Sequence, residues 1–268
     1  MQSAYRTELD GLRALAVLAV LVNHAKSEWL PGGFLGVDSF FVLSGYVVAR
    51  TWVSHAGEGS FDFYKRRLRR LQPALVVMLL GTYLLSWPAG LLTSSHLQTG
   101  IYSLVGLGNL NLLSQSLDYF GPSAAQNPFT HTWSLGVEEQ FYLLFPLIIS
   151  RPRWLLALTP ATFGLWISLQ LQHPEMAFYL MPARLWELGL GILLWRWSSR
   201  WQPMSWTGGA GLAALLSAFL MPLGWQLWST PLAVAGSSAM ILGLDQASEL
   251  KTFFSRTIPA ATGKRAYG

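Results

Sequence analysis

The sequence predicts an all-α fold, a polytopic bundle of transmembrane helices, and three observations support this prediction. Of the 268 residues, 52% are hydrophobic and only 12% are charged, whereas an ordinary soluble domain has about 25% charged residues. The mean hydropathy is +0.36. Several apolar runs reach the roughly 20 residues that are needed to cross a bilayer. Together these values argue against a soluble domain.

Eight apolar windows predict the transmembrane helices, since each is close to the length that a membrane requires. They cover residues 9–25, 34–53, 71–92, 133–149, 154–172, 177–197, 205–224 and 227–244. A weaker segment, residues 101–113, contains two Gly and two Asn and is short for a full crossing. It predicts one re-entrant or partial helix, which membranes allow where protein or water covers the freed backbone groups.

The basic residues in the short loops predict the orientation of the chain. If Arg6 is cytoplasmic, almost every other basic residue between the spans also lies inside, and only Lys26 lies outside. A ninth full crossing would invert the later loops, so the charges favour the partial helix. The net charge of +5 therefore belongs to the inner membrane face rather than to a surface that binds nucleic acid, and we expect no nucleic-acid partner. Acidic residues near position 10 also argue against a cleaved signal peptide.

Ionisable side chains inside the spans are functional candidates, because each costs about 3 kcal/mol at the centre of an inserted helix. Arg13 and His24 are eleven residues apart, which places them on nearly the same helix face and about 16 Å apart along the axis. Asp38 starts the next span from the side where His24 lies, so it could orient the imidazole as a general base. The other members of this set are Asp10, Glu138, Glu139, Arg184 and Glu187.

Each of these patterns also has a simpler interpretation. Arg184 and Glu187 are three residues apart and would form an intrahelical ion pair. Asp38 and the two glutamates near 138 would interact with helix N-termini, and His24 would be only an interfacial residue. The basic run at residues 65–70 is either an anchor to anionic lipid or a phosphate clamp formed by Arg67 and Arg70. The residues alone leave these alternatives open.

The residue types in the chain exclude cysteine chemistry and do not indicate a metal site. The chain has no Cys, which excludes disulfides, thiolate zinc sites and a cysteine nucleophile. The five His show no spacing typical of a metal site, so we expect no metal.

Five ordered motifs are spread over most of the chain. They are residues 5–25 (YRTELDGLRALAVLAVLVNHA), 33–46 (GFLGVDSFFVLSGY), 63–73 (FYKRRLRRLQP), 131–146 (HTWSLGVEEQFYLLFP) and 184–191 (RLWELGLG). In these stretches the sequence resembles the family 3 membrane acyltransferases, bacterial proteins that O-acylate cell-surface polysaccharides.

The resemblance implies an enzyme that moves an acyl group, typically acetyl, from cytoplasmic acyl-CoA to a glycan hydroxyl near the outer face of the bacterial inner membrane. His24 would be the catalytic base, assisted by the carboxylates of Asp38, Glu138 and Glu139. Arg13 would be the partner of His24 in its motif and would belong, with Arg67 and Arg70, to the residues that bind acyl-CoA; Arg67 and Arg70 would contact the CoA phosphates. The residues expected to line or support the site are Asp10, Ser44, Trp133, Arg184 and Glu187.

The resemblance also carries an expectation about domain organisation. The whole chain, residues 1–268, would be one acyltransferase domain, and residues 263–268 resemble the element that precedes the ninth of the family's usual ten spans. We therefore expect this chain to lack the last helices. Two alternatives are an inactive truncated remnant and a transporter or flippase of an anionic lipid-linked sugar, although the chain shows none of the internal repeats typical of transporters.

Overall fold

The computed structural model describes residues 5–55, 57, 59–88, 90–118, 127–198, 200–246 and 248–265, and within these ranges it contains helices and no strand. The all-α prediction is thus confirmed. The helices are α1 (Thr7–Ala25), α2 (Gly36–Ser54), α3 (Ser60–Ser86), α4 (Ser94–Leu104), α5 (Gly108–Leu117), α6 (Thr132–Ser150), α7 (Pro152–Gln172), α8 (Pro174–Tyr179), α9 (Met181–Ser198), α10 (Thr207–Leu220), α11 (Gln226–Gly243), α12 (Glu249–Phe254) and α13 (Thr257–Arg265). A 3-10 turn, Gly33–Leu35, precedes α2.

Three helices are long and apolar enough to span a membrane by length and composition alone: Gly33–Ser54 with its 3-10 turn, Ser60–Ser86 and Pro152–Gln172. α10 is apolar but shorter. Charged residues lower the hydropathy of other helices, such as α1 with Glu8, Asp10 and Arg13. With its family relationship, given below, the chain is a multi-pass helical membrane protein.

Most predicted spans coincide with helices, but the predicted start of the third span was wrong. α3 begins at Ser60, not near residue 71, so the basic run at residues 65–70 lies inside the helix rather than at its start. Lys and Arg are good helix formers, and the helix extends through them toward Ser60.

Two predicted segments are interrupted. The partial helix at residues 101–113 consists of two short helices, α4 and α5, which are separated at Gly106, where φ is +72°. The span predicted at residues 177–197 is divided into α8 and α9 at Leu180, an extended residue. α12 and α13, which are short and contain charged residues, were missed by the hydropathy windows. Of the element expected at residues 263–268, positions 266–268 lie outside the described residues.

The chain forms two compact units, residues 1–56 with 187–268 and residues 57–186. We call them the first and second unit. The expectation of a single acyltransferase domain stays a prediction.

Close helix packing in the first unit explains two of the motif glycines. A Cβ on Gly45 of α2 would overlap the carbonyl oxygen of Leu188, and a Cβ on Gly191 of α9 would overlap that of Val42. Small residues let helix backbones approach closely, which is how membrane helices associate without a hydrophobic driving force. The two motifs that contain Gly45 and Gly191 are therefore the two sides of one helix contact.

Candidate active site

Polar residues at the N-terminal end of α1 form a chain of hydrogen bonds with Tyr5, which precedes the helix. The Tyr5 hydroxyl donates to Asp10 Oδ2 at 2.5 Å, and Arg13 Nη1 donates to Asp10 Oδ1 at 2.9 Å. Asp10 and Arg13 are both buried. The positive charge of Arg13 is thus partly neutralised by Asp10, which lies three residues earlier in the same helix.

A second polar cluster of the first unit was missed by the sequence analysis. Arg6 Nε donates to Glu8 at 2.6 Å, and Nη1 donates to the Tyr46 hydroxyl at 2.9 Å. Its Nη2 donates to the carbonyl oxygen of Ile241 at 3.0 Å, and Asp245 lies 3.6 Å from Nη1. Arg6 therefore joins the start of α1 to the middle of α2 and the end of α11. Glu8, near Asp10 in the sequence, was a signal for this cluster, but Asp245 is more than 200 residues away.

His24 lies in the last turn of α1 and is exposed. Its Nδ1 is 2.8 Å from the carbonyl oxygen of Val20. Because a carbonyl oxygen can only accept, Nδ1 carries the hydrogen, and the lone pair of the neutral ring is on Nε2. The observed orienting partner is thus a backbone carbonyl, whereas the sequence pattern predicted a carboxylate.

Three other predicted site residues of the first unit are almost completely enclosed. Asp38 in the first turn of α2 is 2% exposed, Ser44 is 1% exposed, and Glu187 is 0% exposed. The position of Asp38 agrees with the interpretation as a partner of the helix N-terminus.

The second unit contains a cavity of about 250 Å³ between α3, α6 and the break between α4 and α5. Its wall is mostly apolar, with leucine, valine and tyrosine side chains, and Arg67, Gln72, Glu139 and Gln140 add polar groups. The remaining lining residues are Tyr64, Leu68, Leu71, Leu104, Val105, Gly106, Leu107, Tyr142 and Leu143.

The two arginines of the predicted phosphate clamp have different environments. The Arg67 guanidinium carbon lies 5.0 Å from the centre of the Tyr142 ring and 5.6 Å from that of Phe63, and Arg67 lines the cavity. Such distances permit cation–π attraction. Arg70, one turn further along α3, is exposed and is not among the residues that line the cavity.

The paired glutamates of α6 also face different partners. Glu139 Oε1 accepts from Gln72 Nε2 at 3.3 Å, and the same Gln72 nitrogen lies 3.3 Å from the carbonyl oxygen of Leu104. Glu138 Oε2 accepts from the Tyr142 hydroxyl at 2.8 Å. α6 begins at Thr132. Both glutamates therefore lie beyond its first turn, whereas the helix dipole acts mainly within that turn. Their interpretation as partners of the helix N-terminus was wrong.

The broken segment between α4 and α5 is fixed to α6 by side-chain donors. Gln140 Nε2 donates to the carbonyl oxygen of Gly106 at 2.9 Å and to Asn109 Oδ1 at 2.7 Å. Asn109 Nδ2 in turn donates to the carbonyl oxygen of Tyr179 at 2.9 Å. Carbonyl groups released by the break are therefore satisfied by protein, as a low-dielectric environment requires.

Trp133 and Arg184 form an aromatic and cationic cluster in the second unit. The Trp133 and Phe178 ring centres are 4.3 Å apart, and the Arg184 guanidinium carbon lies 5.6 Å from Trp133 and 5.4 Å from Phe178. Arg184 Nε also donates to the carbonyl oxygen of Phe178 at 3.1 Å. The predicted convergence of Glu138, Glu139 and Arg184 on His24 stays a prediction.

Among the described residues, no group of three or more His, Cys, Asp or Glu side chains is placed to hold a metal ion.

Comparison with known proteins defines the class. The family model described as "Acyltransferase domain", that of the type 3 acyltransferases, matches residues 6–268. The chain therefore belongs to this family of acyl-transferring enzymes.

Two named proteins are similar to the chain. The O-acetyltransferase OatA of Staphylococcus aureus is 41% identical over 152 residues, which are 54% of this chain and 25% of that protein. The putative membrane-bound transacylase BcsY of Komagataeibacter xylinus is 37% identical over 199 residues, 71% of this chain and 51% of that protein. The matched region thus spans a quarter of the first relative and about half of the second. No solved structure matches the chain.

The geometry of the break predicts that Gly106→Ala lowers stability more than Gly90→Ala does. Both glycines have positive φ, +72° and +65°, which costs a non-glycine residue about 1 kcal/mol or more. Only at Gly106 would the new Cβ also crowd Glu139, at 2.6 Å from Oε2 and 3.2 Å from the less mobile Cβ, whereas at Gly90 it meets nothing within 4 Å. We expect an additional loss of about 1 kcal/mol at Gly106, measured by thermal unfolding of the detergent-solubilised protein. Equal losses for the two variants would contradict this contact.

Proposed function

We propose that the chain is a membrane O-acyltransferase of the bacterial inner membrane, which moves an acetyl group from cytoplasmic acetyl-CoA to a hydroxyl of a cell-surface glycan. The observation that carries this proposal is the cavity of the second unit, with its cationic Arg67 and apolar wall, in a chain of the acyltransferase family. The name of the relative OatA supports acetyl as the acyl group and oxygen as the acceptor atom.

The cavity supports the choice of donor. Acyl-CoA combines phosphates with a less polar thioester arm, and a guanidinium next to an apolar cavity is complementary to both. A volume of about 250 Å³ is below the roughly 300–1,000 Å³ of sites for drug-sized ligands. We therefore assign this cavity to only part of the donor, the arm next to a phosphate that Arg67 binds. Arg70, which is exposed, would meet the donor only outside the cavity.

The tautomer and position of His24 support its role as the base. The hydrogen bond from Nδ1 to Val20 leaves the Nε2 lone pair available, and the exposed ring is accessible to an acceptor. In the proposed step, Nε2 of His24 takes the proton of the acceptor hydroxyl while the hydroxyl oxygen attacks the thioester carbonyl carbon. The carbon–sulfur bond then breaks, the ester remains on the glycan, and the thiolate of CoA receives the proton. The cation that forms on His24 lies at the C-terminal end of a helix, where the helix dipole favours it.

His24→Ala should lower acetyl transfer by about 100- to 10,000-fold, because this is the usual contribution of a general base. The measurement is the release of CoA thiol in membranes given acetyl-CoA and a glycan. A thiol reagent detects no thiol of the protein itself, which has no Cys.

The matched control is His55→Ala. His55 follows the end of α2, is exposed, and has the same contact, with Nδ1 2.8 Å from the carbonyl oxygen of Thr51. Transfer that survives in His24→Ala, or is lost equally in both variants, would remove His24 from the mechanism. Glycan transport without thiol release in the unmodified protein would instead indicate a transporter.

Arg67→Ala should raise the KM for acetyl-CoA by about tenfold or more, since a charge-assisted hydrogen bond contributes about 1.5–3 kcal/mol. The KM for acetyl-pantetheine, which lacks phosphates, should stay unchanged in this variant. The control is Arg69→Ala, which removes an exposed charge of α3 that does not line the cavity. A similar rise for both donors, or for both variants, would show that Arg67 does not bind phosphate.

The proposed orientation predicts that Lys26→Cys is labelled by a membrane-impermeant maleimide on intact spheroplasts, whereas Lys65→Cys is labelled only after permeabilisation. Both lysines are exposed, and the absence of native Cys makes each label site-specific. Labelling of Lys65→Cys from outside would invert the orientation and contradict a cytoplasmic donor site.

A further inference from the structure

The loop that follows His24 carries an exposed tryptophan. Trp29 is 67% exposed and lies in the connection between α1 and the 3-10 turn. It is five residues from His24, so the two Cα atoms are at most about 18 Å apart.

This loop is held in one conformation by several hydrogen bonds. Asn23 Nδ2 donates to the carbonyl oxygens of Leu30 and Pro31 at 2.9 and 3.2 Å. The Trp29 amide donates to the carbonyl oxygen of Lys26 at 3.0 Å, and the Gly32 amide donates to that of Phe219 in α10 at 2.8 Å. The backbone at Trp29 is thus held in place by contacts of the loop, and this fixes the point from which the side chain projects.

Charged groups border the ring. Lys26 Nζ lies 5.3 Å from the centre of the Trp29 ring, and the same nitrogen is 3.6 Å from Glu28 Oε2. A flat apolar face, an ammonium donor and a carboxylate acceptor are therefore presented together. This combination suits a sugar ring, whose C–H face packs on an aromatic ring while its hydroxyls exchange hydrogen bonds with the charged groups.

We propose that Trp29, Lys26 and Glu28 form a subsite that binds one sugar ring of the acceptor next to His24. This proposal rests on the proposed function, and it adds to it the residues that recognise the acceptor. The stacked sugar ring belongs to the glycan that is acylated. The subsite therefore lowers the KM for the acceptor and does not contact the acyl donor.

The competing interpretation is an interfacial anchor, because exposed tryptophans are enriched where membrane proteins meet lipid headgroups. The first unit provides a matched residue for the test. Trp228, in the first turn of α11, is 71% exposed. It lies at the same end as the loop, because the Gly32–Phe219 hydrogen bond fixes the loop against the end of α10 that leads into α11.

The test is steady-state kinetics of the purified full chain in nanodiscs, with saturating acetyl-CoA and an oligosaccharide acceptor. Trp29→Ala should raise the acceptor KM by about tenfold, as expected for the loss of an aromatic contact residue, with kcat and the KM for acetyl-CoA unchanged. Trp29→Phe, which keeps an aromatic face, should retain most of the affinity, and Trp228→Ala should behave as the unmodified protein.

The proposal is overturned if Trp29→Ala leaves the acceptor KM unchanged, or if Trp29→Ala and Trp228→Ala have the same effect, as two anchors would. In either case acetyl transfer by the unmodified protein still supports the proposed function. Absence of any transfer from acetyl-CoA to a sugar by the unmodified protein would refute the proposed function, and the subsite with it.

Discussion

The high free-energy cost of a charge in a bilayer governs the arrangement of this protein. Ionisable groups inside membrane helices are stable only where other protein groups replace water. The partners differ from site to site: a carboxylate for Arg13, aromatic faces and a carbonyl for Arg184, and an amide for Glu139. His24 needs less compensation, because it lies at an exposed helix end. The cost of a charge in the bilayer thus explains why the supporting residues are buried with partners, whereas His24, the proposed base, lies at an exposed helix end.

The sequence predicted the elements that depend on local pattern. The bounds of α1, α2 and α6 agree with their apolar windows to within a few residues, since hydropathy records the removal of side chains from water, whether into lipid or into the protein. The start of α3 was not predicted, because basic residues lower hydropathy without breaking a helix. The two-helix structure around Gly106 was predicted only as a weak segment, since the contact with Gln140 that fixes it comes from another part of the chain.

The candidate site was predicted by residue type but not by arrangement. Arg67 and Arg70 form one motif, yet the curvature of the helix surface places only Arg67 on the cavity. Gln72 was not predicted at all, because an amide has no distinctive spacing and its importance depends on Leu104 and Glu139. Likewise, the backbone partner of His24 follows from helix geometry at Val20, whereas a search for charged partners considers only side chains.

The break between α4 and α5 has a consequence for which substitutions would release it. Four consecutive residues of the break, Leu104 to Leu107, line the cavity, and the carbonyl groups of Leu104 and Gly106 accept hydrogen bonds from Gln72 and Gln140. Peptide carbonyls are the same in every sequence, so the acceptors of these two bonds depend on the backbone path rather than on side-chain identity. The donors, by contrast, are side chains of α3 and α6, and a substitution of Gln72 or Gln140 would detach the break from its neighbouring helix.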